Sequence, residues 1–171
     1  MATTINSLRF TAGFSFDVKD VTAWGDLAMQ SSDAPSSESS FAQGTGAGQV
    51  DKLYVYRGTL AASASDTLDL SGSLTDPVEN ACVFVKVKGV YVRQVATDGY
   101  TSTGITVAAT VTNSAAAWNI PLKRGGVFLL FDPSATGLFT VTAGTGDLFK
   151  ITNADGANGA DYFVAICGTS A

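Results

Sequence analysis

The chain has 171 residues, 15 acidic against 10 basic side chains for a net charge of −5, and no histidine. With 46% apolar and only 15% charged residues, it holds one domain's worth of core, roughly 69% of its extended surface being removed from water, and is not a disordered chain. The missing histidine excludes Ser-His-Asp and Cys-His nucleophile pairs, histidine metal ligands and a histidine pH switch.

The composition favours strands. There are 18 glycines, 20 threonines and only two glutamates, Glu38 and Glu79, so residues that fill exposed helix faces are scarce while those suited to a pleated surface abound. No basic segment followed by an apolar one trails Met1, and no apolar run approaches the ~18 residues a membrane span needs. The acidic balance speaks against nucleic-acid binding, which uses basic patches. These features predict a protein made inside a cell, in the cytoplasm, with no nucleic-acid and no membrane partner.

Leu8, Phe10, Ala12, Phe14 and Phe16 alternate with polar residues and glycine, the period of a strand with one apolar face. Val18, Val21, Trp24 and Leu27 recur every three residues, but Gly25 interrupts them, and the segment reads as an irregular arm. Residues 30–48 are rich in Ser and Gly; such a stretch buries too little surface to offset its ordering entropy, so it is a flexible loop or orders only against a partner.

From Asp51 the strands follow closely: 53–60, 67–70, 81–93, 105–112, 127–131, 138–141, 148–152 and 162–167. The segment 81–93 changes phase at Gly89, which predicts a β-bulge there. Short strands separated by Asp-Pro, Gly and Asn turns predict an all-β, antiparallel sandwich of jelly-roll-like or immunoglobulin-like topology, the former preferred. The predicted division is an N-terminal strand plus flexible Ser/Gly-rich arm over 1–50 and a β-sandwich domain over 51–171.

Candidate chemistry is sparse. Gly44-Thr45-Gly46-Ala47-Gly48 lacks the strand before and helix after it that a phosphate loop needs. Asn153, Asp155, Asp147 and Asp161 could offer oxygens to calcium, but Asn, Asp and Gly are also ordinary turn residues. Cys82 and Cys167 lie in apolar runs and read as buried thiols, an inter-strand disulfide being the other reading. No carboxylate pair is singled out for glycoside hydrolysis. The expectation is therefore no enzyme, no metal and no cofactor. Lys86, Lys88 and Arg93 lie along one strand and Lys123 and Arg124 in one loop, placed either as solvated edge cations or to dock on an acidic surface. Tyr162 to Cys167 is apolar on both faces, which calls for cover from the opposite sheet, an arm or a second subunit.

The C-terminal half runs Trp118-Asn119-Ile120-Pro121-Leu122-Lys123-Arg124-Gly125-Gly126, then Gly144-Thr145-Gly146-Asp147-Leu148, Ile151-Thr152-Asn153 and Tyr162-Phe163-Val164-Ala165-Ile166-Cys167-Gly168-Thr169-Ser170-Ala171. Over residues 51–171 this resembles small virion structural proteins of tailed bacteriophages. The resemblance implies a capsid decoration, or cement, protein that sits on the outer head, binds the phage major capsid protein and bridges neighbouring capsomers, often as a homotrimer. It brings no catalytic residues. The interface residues expected on this reading are Leu8, Phe10, Phe14, Phe16, Lys86, Lys88, Arg93, Lys123, Arg124 and Tyr162. The alternatives are a receptor- or carbohydrate-binding module of a tail spike or fibre, with Trp24, Trp118, Tyr91 or Tyr100 stacking on sugars, and a glycan-cleaving enzyme.

Overall fold

The structure, a computed structural model, describes residues 4–5, 8–13, 17–22, 25–30, 36–72, 74–95, 104–108 and 118–171. In chain order the strands are β1 (Leu8–Gly13), β2 (Asp17–Thr22), β3 (Gly25–Gln30), β4 (Ser36–Gln43), β5 (Gln49–Val50), β6 (Lys52–Leu60) and β7 (Ser65–Asp69). They continue with β8 (Lys86–Gln94), β9 (Gly104–Ala108), β10 (Asn119–Lys123), β11 (Val127–Phe131), β12 (Phe139–Thr140), β13 (Leu148–Asn153) and β14 (Ala160–Thr169). Among the described residues no helix is long and apolar enough to cross a membrane.

Two antiparallel sheets form the sandwich. The first has the order β11–β8–β14–β6, with β12 beside β8, and the second the order β10–β9–β13–β7. Successive strands from β6 to β14 change sheet, except β9 to β10 and the short β12, which continues along β8 the edge that β11 begins. The core lies between the sheets. Val90 and Val92 of β8 and Val164 and Ile166 of β14 meet Ile105 and Val107 of β9 and Phe149 and Ile151 of β13, all 1% exposed or less. Burial of apolar surface at about 25 cal/mol per Å² is what holds two such faces together.

Several sequence expectations change. Residues 81–85 are not strand: Ala81 makes an isolated bridge to Thr75, and the strand begins at Lys86. The strand β10 was not expected, because Pro121 stands at its centre. Its place at the edge of the second sheet leaves one side without a strand partner among the described residues, which is where a strand proline is tolerated. The arm is not irregular throughout, since β2 and β3 pair as a hairpin from Asp17↔Gln30 to Thr22↔Gly25. Within the Ser/Gly-rich stretch residues 36–43 are strand, and among its described residues only 44–48 form a turn. The strand β4 pairs antiparallel with β1, from Leu8↔Phe41 to Gly13↔Ser36, so its hydrogen-bond partner belongs to its own chain.

The bulge falls where the phase change placed it, one residue before Gly89. Cys167 pairs with Gly89 and Gly168 with Val87, while on the other side Phe131 pairs with Gly89 and Phe139 with Val87. Lys88 is therefore the extra residue against β14, and on its other side it falls between the end of β11 and β12. The fit is tight enough that a Cβ on Gly168 would collide with the carbonyl oxygen of Lys86.

Candidate functional site

β14 is central in its sheet, and its side chains alternate between the two sides. Tyr162, Val164 and Ile166 enter the core, whereas Phe163, Ala165 and Cys167 face outward. Registers with β6, β8 and β11 extend these three outward residues into rows across the sheet. The rows are Leu53–Cys167–Gly89–Phe131, Val55–Ala165–Tyr91–Leu129 and Arg57–Phe163–Arg93–Val127. This outer face is thus apolar at one end, and at the other carries two arginines on either side of a phenyl ring.

Among the described residues, the N-terminal strands cover the apolar end. Ile5, Phe41 and Val50 bury Cys167, with Leu8, Leu53, Tyr91, Leu129 and Phe131 half-buried around them. The arm is fastened there by Lys88, whose Nζ donates to the Gly46 carbonyl at 2.5 Å, and by Gly48 N–H donating to the Pro133 carbonyl at 2.7 Å. Burial, then the neighbouring Lys86 cation, pushes the Lys88 ammonium below its ordinary value, against the opposing pull of Asp132 and Cys167.

The other end is open. A cavity of about 530 Å³ lies among Arg57, Tyr91, Arg93, Val95 and Phe163. A second, of about 300 Å³, shares Tyr91 and Phe163 and reaches the β1 wall at Leu8, Arg9 and Thr11. The Tyr91 and Phe163 rings meet edge to face, 5.9 Å between centroids. Arg57 Nη2 stands 3.7 Å from Asp161 Oδ2, and Thr59 Oγ1 donates to Asp161 Oδ1 at 2.5 Å, so this carboxylate is occupied. Arg93 is exposed and makes no ion pair among the described residues. Val127, beside it, is 51% exposed. Of the four arginines in the sequence, Arg9, Arg57 and Arg93 line these two cavities.

Two residues expected at an interface are buried instead. Lys88 is fully enclosed, because the bulge turns its ammonium onto the Gly46 carbonyl. Tyr162 is fully enclosed as well, its hydroxyl donating to Asp66 Oδ2 at 2.5 Å. Leu8 lines the second cavity. Phe10 stands opposite Ser39 in the β1–β4 ladder, while Phe14, Phe16, Trp24 and Tyr100 lie outside the described residues. Lys86 is half-buried at the start of β8, Lys123 ends β10 and Arg124 lies in the turn between β10 and β11, both exposed. That turn abuts the end of β8, Gln94 N–H donating to the Gly126 carbonyl at 3.0 Å. Arg93 itself pairs with Val127 in the β8–β11 ladder, just after that turn.

Arg57 and Phe163 were missed as site residues. The signal was present in the two-sided apolar run 162–167, but only the register places Arg57 beside it. Trp118 is packed rather than presented, edge to face on Phe128 at 5.3 Å and Phe139 at 5.8 Å.

Of the carboxylates considered for calcium, Asp161 is held by Thr59 and Arg57 and the other two cap turns. Asp155 Oδ1 accepts from the N–H groups of Ala157 and Asn158 at 2.8 and 3.0 Å, and Asp147 Oδ2 from Gly144 N–H at 2.6 Å. Among the described residues no three carboxylates or thiols gather as a metal cluster. Cys82 and Cys167 are free thiols on opposite faces of the first sheet, each pushed up to about 12, chiefly by burial. A thiol held protonated is a poor nucleophile. Comparison with protein-family models, curated proteins and solved structures finds no significant match.

Proposed function

We propose that the chain is a structural virion protein, a capsid decoration protein that binds the outer surface of a tailed-phage head and bridges neighbouring capsomers. The observation that carries this reading is the half-covered outer face of the first sheet. The arm covers the row through Cys167 and leaves the row Arg57–Phe163–Arg93–Val127 to solvent. A small protein keeps an aromatic and cationic patch of this kind where it docks on another surface.

The strand order supports reading the sandwich as a jelly roll, with eight principal strands in two sheets that successive strands enter by turns. Bridging requires more than one docking face per particle, which assembly into a homotrimer would supply. Gel densitometry of purified virions tests the proposal through copy number. Hundreds of copies per head fit a decoration protein, and a few copies per particle would assign it to the tail.

A further inference from the structure

Apart from the hydroxyls of Tyr91 and Thr11, the polar side chains that the described residues bring to the two cavities are guanidinium groups, which donate and never accept. The backbone of β14 is paired on both sides, and the nearby Asp161 carboxylate is held by Arg57 and Thr59. A sugar ring, each of whose hydroxyls donates as well as accepts, would meet few acceptors here. A carboxylate would meet Arg93, an exposed cation with no ion pair among the described residues. Beside it lie apolar surfaces, Phe163, Tyr91 and Val127, that no charged ligand alone would use.

We infer that the open end of this face receives an extended acidic segment of a neighbouring protein, one carboxylate on Arg93 and an adjacent apolar side chain on Phe163. The inference rests on the docking reading above and names the chemistry of the partner. Its geometry follows from strand spacing. Arg93 and Phe163 sit on adjacent strands about 4.8 Å apart, and same-face positions two apart on an extended chain are about 6.7 Å apart, a difference the arginine arm spans. Arg57, on the far side of Phe163, places a second cation roughly 10 Å from the first. The fitting pattern is an acid, then an apolar residue two positions on, then a second acid two beyond that. On a chain of net charge −5, this cationic end also orients an acidic partner before contact.

The test is titration of the full chain with a blocked peptide carrying glutamates at its first and fifth positions and leucine at its third. Backbone amide shifts in the protein provide the readout. We expect saturable shifts centred on Phe163 and Arg93, and binding weakened several-fold between about 50 mM and about 500 mM salt. Arg93→Glu should weaken binding roughly tenfold, since reversal turns an attraction into a repulsion. Arg93→Gln should give an intermediate loss, and Lys150→Glu, on the other sheet, none. Equal binding by Arg93→Glu, or by a peptide with lysines for glutamates, would overturn the inference. So would shifts at this face produced by neutral oligosaccharides alone, or a concentration-dependent self-association that Arg93→Glu abolishes. If the peptide binds as expected while the wild-type chain ignores phage heads, the virion reading fails and the inference stands. If heads bind and Arg93→Glu changes nothing, the reverse holds.

Discussion

Gly168 stands where the β8–β14 ladder changes step around Lys88, with the Lys86 carbonyl oxygen and the Phe84 ring where a Cβ would lie. An alanine there has no free volume and must displace backbone, so Gly168→Ala should lower stability by about 1–3 kcal/mol in thermal or urea unfolding. The buried ionisable groups make a separate prediction. Burial pushes the Tyr54 phenol, with Tyr56 and Asp66 adding to it, and the Cys82 and Cys167 thiols all up to about 12, and pushes Tyr162 above its ordinary 10.0, helped by its bond to Asp66. The unfolded chain ionises first, at 9.0 for the thiols and 10.0 for the phenols. It therefore binds fewer protons than the folded chain, and stability is complete below pH 9 and falls as pH rises toward 12. Lys88, with its depressed value, works in the opposite direction but is one group against four. Urea midpoints should drop steadily above pH 9, and Tyr162→Phe should flatten that slope; a flat profile in the wild type contradicts the assignment. The bulge was legible as a change of phase at Gly89, but the part Gly168 plays opposite it was not. Nor was the burial of Lys88, because an extra residue in a ladder reverses which side a side chain takes.

The N-terminal strands act as a cover rather than as a free arm. Phe41 is 2% exposed and sits with Val50 over Cys167, so Phe41→Ala should cost about 3 kcal/mol through lost burial and the cavity left behind. It should also raise the rate at which Cys167 reacts with a disulfide reagent, leaving Cys82 in the sandwich core unchanged. Equal acceleration of both thiols would mean global unfolding instead of local uncovering. The strands of the sandwich were legible where alternation was regular, as in β9, and where an apolar run was bounded by turn residues, as in β11. β4 was hidden because Ser36 to Ser40 contribute no apolar period; its pairing with β1 supplies the backbone bonds that its composition does not advertise. β10 was hidden by Pro121. In both cases the deciding partner lies elsewhere in the sequence, and local pattern carries no information about it.

At the scale of the molecule, the two faces of the first sheet do different work. One closes the core against the second sheet, and the other is divided between the arm and an open, arginine-flanked end. The absence of histidine excluded several chemistries, and the two-sided apolarity of 162–167 already required a cover. The sequence did not say that the chain would supply half of that cover itself, because the rows form only when β6, β8, β11 and β14 come into register. Arg93 contributes little to folding from its exposed position, so Arg93→Glu should shift stability by less than about 0.5 kcal/mol. The same substitution should weaken association with heads. The most direct measurement is a sedimentation binding isotherm for wild type and Arg93→Glu on phage heads stripped of this protein. The account predicts saturable binding of the wild type and roughly tenfold weaker binding of the variant at an unchanged melting temperature. Superimposable isotherms would contradict the assignment of the open sheet face as the docking surface.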